Sequence, residues 1–171
     1  RLNVGCGVGW MREEFEALAA PSFDERGAVG SEYIQIFKEL WTEEDPVFEG
    51  TYANFSNISF LPKPVQTPHP PIWVGGESNP ALRRAAELGD CWYPIGTNPK
   101  FPLDSAELLR KRIERLHHYA ESNNRDPATI DLAYSANWFN MVSQSPGKRA
   151  RWFEGESGQI QEDIGQLMDL G

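Results

Sequence analysis

The sequence predicts an α/β fold, a parallel sheet covered by helices, and three observations carry that prediction. Short apolar or β-branched runs alternate with amphipathic stretches along the chain, the pattern of successive βα units. Ile72-Trp73-Val74 is apolar without alternation, as expected of a strand buried on both faces. That run stops at Gly75-Gly76 and passes through Glu77-Ser78-Asn79-Pro80 straight into a helical pattern. Two closures satisfy these features, an open doubly wound sheet or part of a (β/α)8 barrel. Four βα units in 171 residues cannot complete a barrel of roughly 250 residues. The chain opens at Arg1 on a strand-like run and stops at Gly171 just past a helix, which favours a barrel fragment cut at both ends. The expected domain is therefore a partial TIM barrel over 1–171, with an excursion and connector over 44–71 inside it.

Each element has a local reason. Arg1 to Gly9 reads as a strand ending in glycines, and Met11 to Ala20 as a short helix with Met11, Phe15 and Leu18 on one face. Ser31 is the expected N-cap of a second helix reaching Thr42, because Tyr33, Ile34, Phe37, Leu40 and Trp41 recur at helical spacing. Phe48 to Leu61 suits an irregular extended excursion or hairpin. Pro62, Pro64, Pro68, Pro70 and Pro71 then impose an extended connector without interior sheet pairing. After the Ile72 strand, Pro80 suits the first position of a helix whose natural stop is Gly89. Cys91 to Ile95 is the next strand, and a charged amphipathic helix begins near Ser105. Ile130 to Phe139 is the fourth strand, a turn follows over Ser143 to Gly147, and a last helix starts near Ser157.

Composition narrows the function. With 40% hydrophobic residues, 24% charged and a net charge of −9, the chain has globular composition and no basic surface for nucleic acid or anionic membrane. The expected partner is a small molecule. No apolar run reaches the roughly 20 residues of a membrane span and no leader pattern is visible, so a cytoplasmic location is expected. Cys6 and Cys91 stand far apart without metal-ligand spacing, which gives two reduced thiols, with neither a disulfide framework nor a metal site.

The chemistry concentrates in Gly75-Gly76-Glu77-Ser78. Two glycines let a backbone approach an anion, and a helix start presents unpaired N–H groups and a positive dipole end. A phosphorylated cofactor is the functional reading, and a tight strand-to-helix turn the structural one. Gly5, Gly7 and Gly9 repeat the ambiguity, since they admit either a cofactor close to the backbone or a barrel interior too narrow for side chains. His117-His118 fall on a charged helix and do not share a face, so they read as solvated. His69 between prolines reads as surface loop.

Arg1-Leu2-Asn3-Val4-Gly5-Cys6-Gly7-Val8-Gly9-Trp10 resembles the luciferase-like flavin monooxygenase family. The similarity continues through Glu39-Leu40-Trp41-Thr42, Phe48-Glu49-Gly50, Pro62-Lys63-Pro64-Val65-Gln66, Pro70 to Gly76 and Leu88 to Pro94, in the family's order. The resemblance implies a TIM barrel of which this chain supplies strands four to seven, binding FMN or the deazaflavin F420 at the C-terminal strand ends. It implies cofactor-binding roles for Gly5, Gly7, Gly9, Gly75, Gly76, Glu77 and Ser78. Ser78 would act by its hydroxyl and the others mainly by backbone N–H, with a structural role for the Glu77 carboxylate. Val8 stands where light-emitting members carry a phosphate-holding Arg, which argues against luciferase activity itself. Cys91 replaces a glycine common in the family.

Trp92, Tyr93 and Trp138, at or after strand ends, are tentative substrate-pocket walls with barrel packing as the alternative, and Trp10 is a cofactor-side wall or a plug. The implied activity is an oxidoreductase that transfers a hydride or inserts oxygen into a small organic substrate, with a homodimer as the assembly. No catalytic residue is assigned, because the family's proton donors and acceptors often come from earlier strands. The alternatives are an incomplete barrel without activity of its own and, last, an open-sheet nucleotide-binding module, for which the Gly-x-Gly-x-x-Gly turn is missing.

Overall fold

The computed structural model describes residues 1–142 and 151–171, so the expected Ser143 to Gly147 turn lies outside the described residues. Its frame is a four-stranded, all-parallel sheet of β1 (Val4–Cys6), β4 (Ile72–Gly75), β5 (Cys91–Tyr93) and β6 (Asp131–Leu132), side by side in chain order. α1 (Arg12–Ala17), α2 (Arg26–Thr42) and a hairpin of β2 (Phe48–Glu49) and β3 (Asn54–Phe55) come between β1 and β4. α3 (Asn79–Leu88) and α4 (Ala106–Ser122) make the next two crossovers, with α3 packed between α2 and α4. β7 (Asn140–Met141), β8 (Glu154–Gly155) and α5 (Ser157–Met168) complete the described chain. A doubly wound sheet reverses its strand order at a switch point. This sheet does not reverse across its four strands, as expected of one wall of a (β/α)8 barrel.

Register assigns the two faces of the wall. Cys6, Val74, Trp92 and Leu132 are lateral neighbours, and all four belong to the apolar core under the helices with Ile72, Leu82, Leu109, Ile113 and Leu116. Gly5, Trp73, Cys91 and Asp131 form the row on the opposite, inner face, with Gly75 and Tyr93 one step nearer the strand ends. Trp73 and Tyr93 meet edge to face at 5.4 Å there.

Several boundaries differ from expectation for identifiable reasons. β1 covers Val4–Cys6 alone, because the backbone of Leu2 is held by the Gln66 amide, which accepts from Leu2 N at 2.7 Å and donates to Leu2 O at 3.0 Å. α2 starts at Arg26 after a 3-10 turn capped by Ser22. Ser31 is therefore inside the helix, its hydroxyl donating to Gly27 O and accepting from Arg84 Nε. Gly27 and Gly30 persist in that helix because Arg84 and Val8 pack against them, 3.2 and 3.1 Å from where a Cβ would stand. α3 begins at Asn79, one residue before the expected Pro80, with Ser78 as N-cap.

The fourth strand is regular only over Asp131–Leu132, although sheet bonding continues through Ala133 N to Trp92 O and Ser135 N to Pro94 O. Pro94 has no N–H to return. The connector residues serve as clamps, with Lys63 Nζ donating to the carbonyls of Leu40 and Glu43 at the end of α2. Asp90 accepts from Ile72 N at 2.8 Å. His69 is nearly buried, not a surface residue, with Nδ1 3.8 Å from the Asp90 carboxylate and its ring against Trp41.

Candidate functional site

Parallel strands end together. Gly7 after β1, Gly76-Glu77-Ser78 after β4, Pro94 to Asn98 after β5 and Ser135 to Trp138 after β6 therefore share one rim, the rim that carries active sites in barrels of this kind.

Gly76 is the turning point of the rim loop. Its φ is +106°, and a Cβ on it would stand 3.0 Å from Ala81 Cβ, so both backbone conformation and packing demand glycine. Gly75 is less constrained, since a Cβ there would meet Tyr93 O at 3.6 Å. Among the described residues, the N–H groups of Gly76, Glu77 and Ser78 donate to no protein acceptor. The Ser78 side chain caps α3 by accepting from Ala81 N at 3.4 Å, and its hydroxyl proton remains to be donated. α3 has no acidic residue in its first turn. Three consecutive amides without protein acceptors, a hydroxyl and the positive end of α3 thus lie on one rim loop, a donor set of the chemistry that fits a phosphate.

The Glu77 carboxylate would oppose an anion held by these amides if it stood free beside them. It does not. The side chain is 3% exposed and lies sideways, accepting from Ile95 N at 2.8 Å and Asn98 Nδ2 at 2.5 Å, which fastens the rim loop after β4 to the loop after β5. The Gly76 carbonyl is held from below by Trp92 Nε1 at 2.9 Å.

The other sequence candidates separate. Gly9 takes φ +79° with the Phe15 ring 2.6 Å from a Cβ position, so it serves the turn into α1. A Cβ on Gly5 or Gly7 would meet nothing within 4 Å, so crowding by the described residues does not account for either. Trp92 is 1% exposed in the helix-facing core. It packs on the helix-facing side and not on the inner face, because the register that puts Tyr93 on the inner face puts its neighbour on the other side. Tyr93 and Trp73 are the inner-face aromatics. Strand alternation counted back from Gly75 would have found Trp73, and its pairing with β5 is a tertiary fact. Trp138 is 46% exposed on the rim with Arg151 over its ring at 5.4 Å. Trp10 is 81% exposed. Val8 packs on Gly30 of α2.

Cys91 lies in the inner row between Trp73 and Asp131, below the rim. Burial, with Asp131 and then Asp90 adding to it, pushes its thiol up from 9.0 to about 12, so it is a neutral, unreactive thiol at neutral pH. An apolar cavity of about 210 Å³ lies on the helix-facing side of the sheet, lined by Trp92, Pro94, Leu109, Ile113, Leu132 and Leu167 among others. It holds no anion-binding group and belongs to the packing of α4 and α5 on the sheet. Among the described residues, no group of three or more His, Cys, Asp or Glu could hold a metal ion, and no helix is long and apolar enough to cross a membrane.

Comparison with known proteins agrees with this architecture. A family model described as luciferase-like monooxygenase matches residues 1–145. An FMNH2-dependent dimethylsulfone monooxygenase of Pseudomonas putida is 32% identical over 125 residues, 72% of this chain and 32% of that protein. An uncharacterised protein of Mycobacterium tuberculosis is 36% identical over 157 residues, 90% of this chain and 49% of its own length. The chain thus spans about a third to a half of the curated relatives it matches.

Among solved structures, the monooxygenase RslO1 from Streptomyces bottropensis is 26% identical with a TM-score of 0.65, covering 99% of this chain and 46% of that one. An F420-dependent secondary alcohol dehydrogenase bound to an F420-acetone adduct shares the fold, with a TM-score of 0.72 at 14% identity over 100% of this chain and 62% of that one. With the family model covering all four sheet strands and their rim loops, the chain belongs to the luciferase-like monooxygenase family, of whose barrel it forms one wall.

Proposed function

We propose that this chain supplies the phosphate-binding wall of the cofactor site in a flavin- or F420-dependent oxidoreductase acting on a small organic substrate. The observation that carries the reading is the rim loop, where Gly76, Glu77 and Ser78 present N–H groups without protein acceptors at the start of α3. The named activity of the Pseudomonas putida relative, an FMNH2-dependent monooxygenase at 32% identity, supports FMN as the first cofactor to test. The fold shared with an F420-dependent secondary alcohol dehydrogenase, at a TM-score of 0.72, keeps F420 as a second cofactor to test.

When bound, the ring system of either cofactor supplies the redox chemistry, reduced FMN toward dioxygen and F420 toward hydride exchange. The chain's own residues bind and orient. Gly76, Glu77 and Ser78 donate backbone N–H groups to the phosphate and Ser78 adds its hydroxyl. The Glu77 carboxylate stays turned aside in its bonds to Ile95 and Asn98 and holds the loop without facing the anion. Trp73 and Tyr93 present aromatic surface on the inner face, where a dry cavity is needed.

The test is affinity. Full-length protein is titrated with FMN and, separately, with F420, each followed by fluorescence quenching, and Gly76→Val is titrated beside it. Tighter binding of one cofactor that is lost in Gly76→Val supports the reading and selects the chemistry. Binding of neither, or binding indifferent to Gly76→Val, refutes the assignment and leaves Gly75-Gly76 as a turn.

A further inference from the structure

Of the two readings of Trp92, pocket wall or barrel packing, its place in the helix-facing core agrees with packing, yet its one polar atom reaches the rim. The indole Nε1–H donates to Gly76 O at 2.9 Å, from a ring that is 1% exposed and fixed among the helix-facing apolar residues. The Gly76–Glu77 peptide is trans, since the cis bonds fall at Leu61–Pro62 and Thr67–Pro68. In a trans peptide the carbonyl and the following N–H point in opposite directions. Holding Gly76 O toward Trp92 therefore turns Glu77 N–H away from the core, and among the described residues that N–H has no protein acceptor. The Glu77 side chain is fastened from a second direction by Ile95 N and Asn98 Nδ2. A glycine at φ +106° borders more than one accessible peptide orientation, so without these fasteners the plane is free to rotate.

We propose that Trp92 is a positioning residue for phosphate recognition, its indole N–H fixing the Gly76–Glu77 peptide so that Glu77 N–H is aimed at the cofactor phosphate before binding. This rests on the phosphate-loop reading above. Pre-aimed donors lower the ordering cost of binding, so the effect belongs to ligands that carry the phosphate and not to those that lack it.

The experiment removes the donor and keeps the ring. In the full-length protein, Trp92 is replaced by its benzothienyl isostere, in which sulfur stands for the N–H, and by Phe in a second variant. Each is titrated with FMN and with riboflavin, or with F420 and its phosphate-free chromophore if the wild-type protein prefers the deazaflavin. The expected result is a loss of about tenfold in affinity for the phosphorylated ligand, the size of one lost hydrogen bond to a charged group, with affinity for the phosphate-free ligand unchanged, so that the ratio of the two separates positioning from the stability lost when Gly76 O loses its donor. Equal weakening of both ligands would assign Trp92 a structural role only, and an unchanged ratio in both variants would also overturn the proposal. Wild-type protein and Gly76→Val separate the two levels. If wild type shows no preference for the phosphorylated ligand, the phosphate loop itself fails. If wild type shows it, Gly76→Val loses it and donor-free Trp92 keeps it, the positioning role alone fails.

Discussion

At Gly76 the backbone stands at φ +106° with Ala81 Cβ 3.0 Å from the added methyl, whereas at Gly75 the nearest contact is an ordinary 3.6 Å. Gly76→Ala is therefore expected to cost about 1–3 kcal/mol and Gly75→Ala to stay within about 0.5 kcal/mol, as read from urea unfolding of the two variants side by side. Cys91 and Tyr134 give a pH prediction. Burial is the leading cause for both, joined at Tyr134 by Asp104 and Asp163, and each rises to about 12, from 9.0 for the thiol and 10.0 for the phenol. A group whose pKa is raised on folding contributes fully below its unfolded value and loses that contribution as pH rises toward its folded one. Stability should accordingly fall between pH 9 and 12, and Cys91→Ala should remove the part that begins at the thiol's ordinary value. Unfolding midpoints across that range check this. The strand-to-helix turn at the glycine pair was legible in the sequence because a doublet between an apolar run and a helix start marks a tight turn. The direction of the Glu77 side chain was not readable in detail, because its partners lie 18 and 21 residues away.

Elements in this chain are joined by side chains that take over backbone groups. The Glu32 carboxylate on α2 accepts from Thr51 N, Tyr52 N and Ala53 N, each at 2.8 Å, and so holds the turn of the β2–β3 hairpin. Burial opposes its ionisation, but the three amide donors outweigh this and hold its pKa below the ordinary carboxylate value. A lowered pKa contributes stability above the unfolded value and loses it as pH falls through the folded one. The amides of Thr51, Tyr52 and Ala53 should exchange hydrogen faster in Glu32→Ala at neutral pH, and faster in wild type below the carboxylate range, while α3 amides hold. Glu77 joins two rim loops in the same manner. Glu77→Ala leaves Ile95 N–H without its acceptor, an expected loss of about 1–3 kcal/mol, accompanied by weaker binding of phosphorylated cofactor, which denaturation and titration of one preparation measure together. Helix existence followed from spacing and caps, as at Ser105, whose hydroxyl accepts from Leu108 N. The start of α2 did not, because Gly27 and Gly30 look like breakers until Arg84 and Val8 are seen packed on them.

At the scale of the molecule, the strand order β1-β4-β5-β6 leaves β1 and β6 as the two edges of the sheet. The inner face carries Trp73 and a Tyr93 that is 37% exposed. Exposed edges and an uncovered aromatic face favour association. The 171-residue chain expressed alone should thus self-associate in a concentration-dependent way and bind a hydrophobic dye, as sedimentation and dye fluorescence would show. Monomeric, dye-silent behaviour over a wide concentration range would contradict it.

The sequence by itself determined the alternation of strands and helices, the glycine loop and the extended proline connector, since each of these is a property of neighbouring residues. It also carried enough ordered motifs to point to the family. Only the tertiary structure decided between barrel wall and doubly wound sheet, because lateral strand order is set by contacts between residues far apart in the chain. The same holds for Gln66 at Leu2, 64 residues away, and for Trp92, whose assignment to core or pocket turns on a register shift of one residue that exchanges the two faces of a strand.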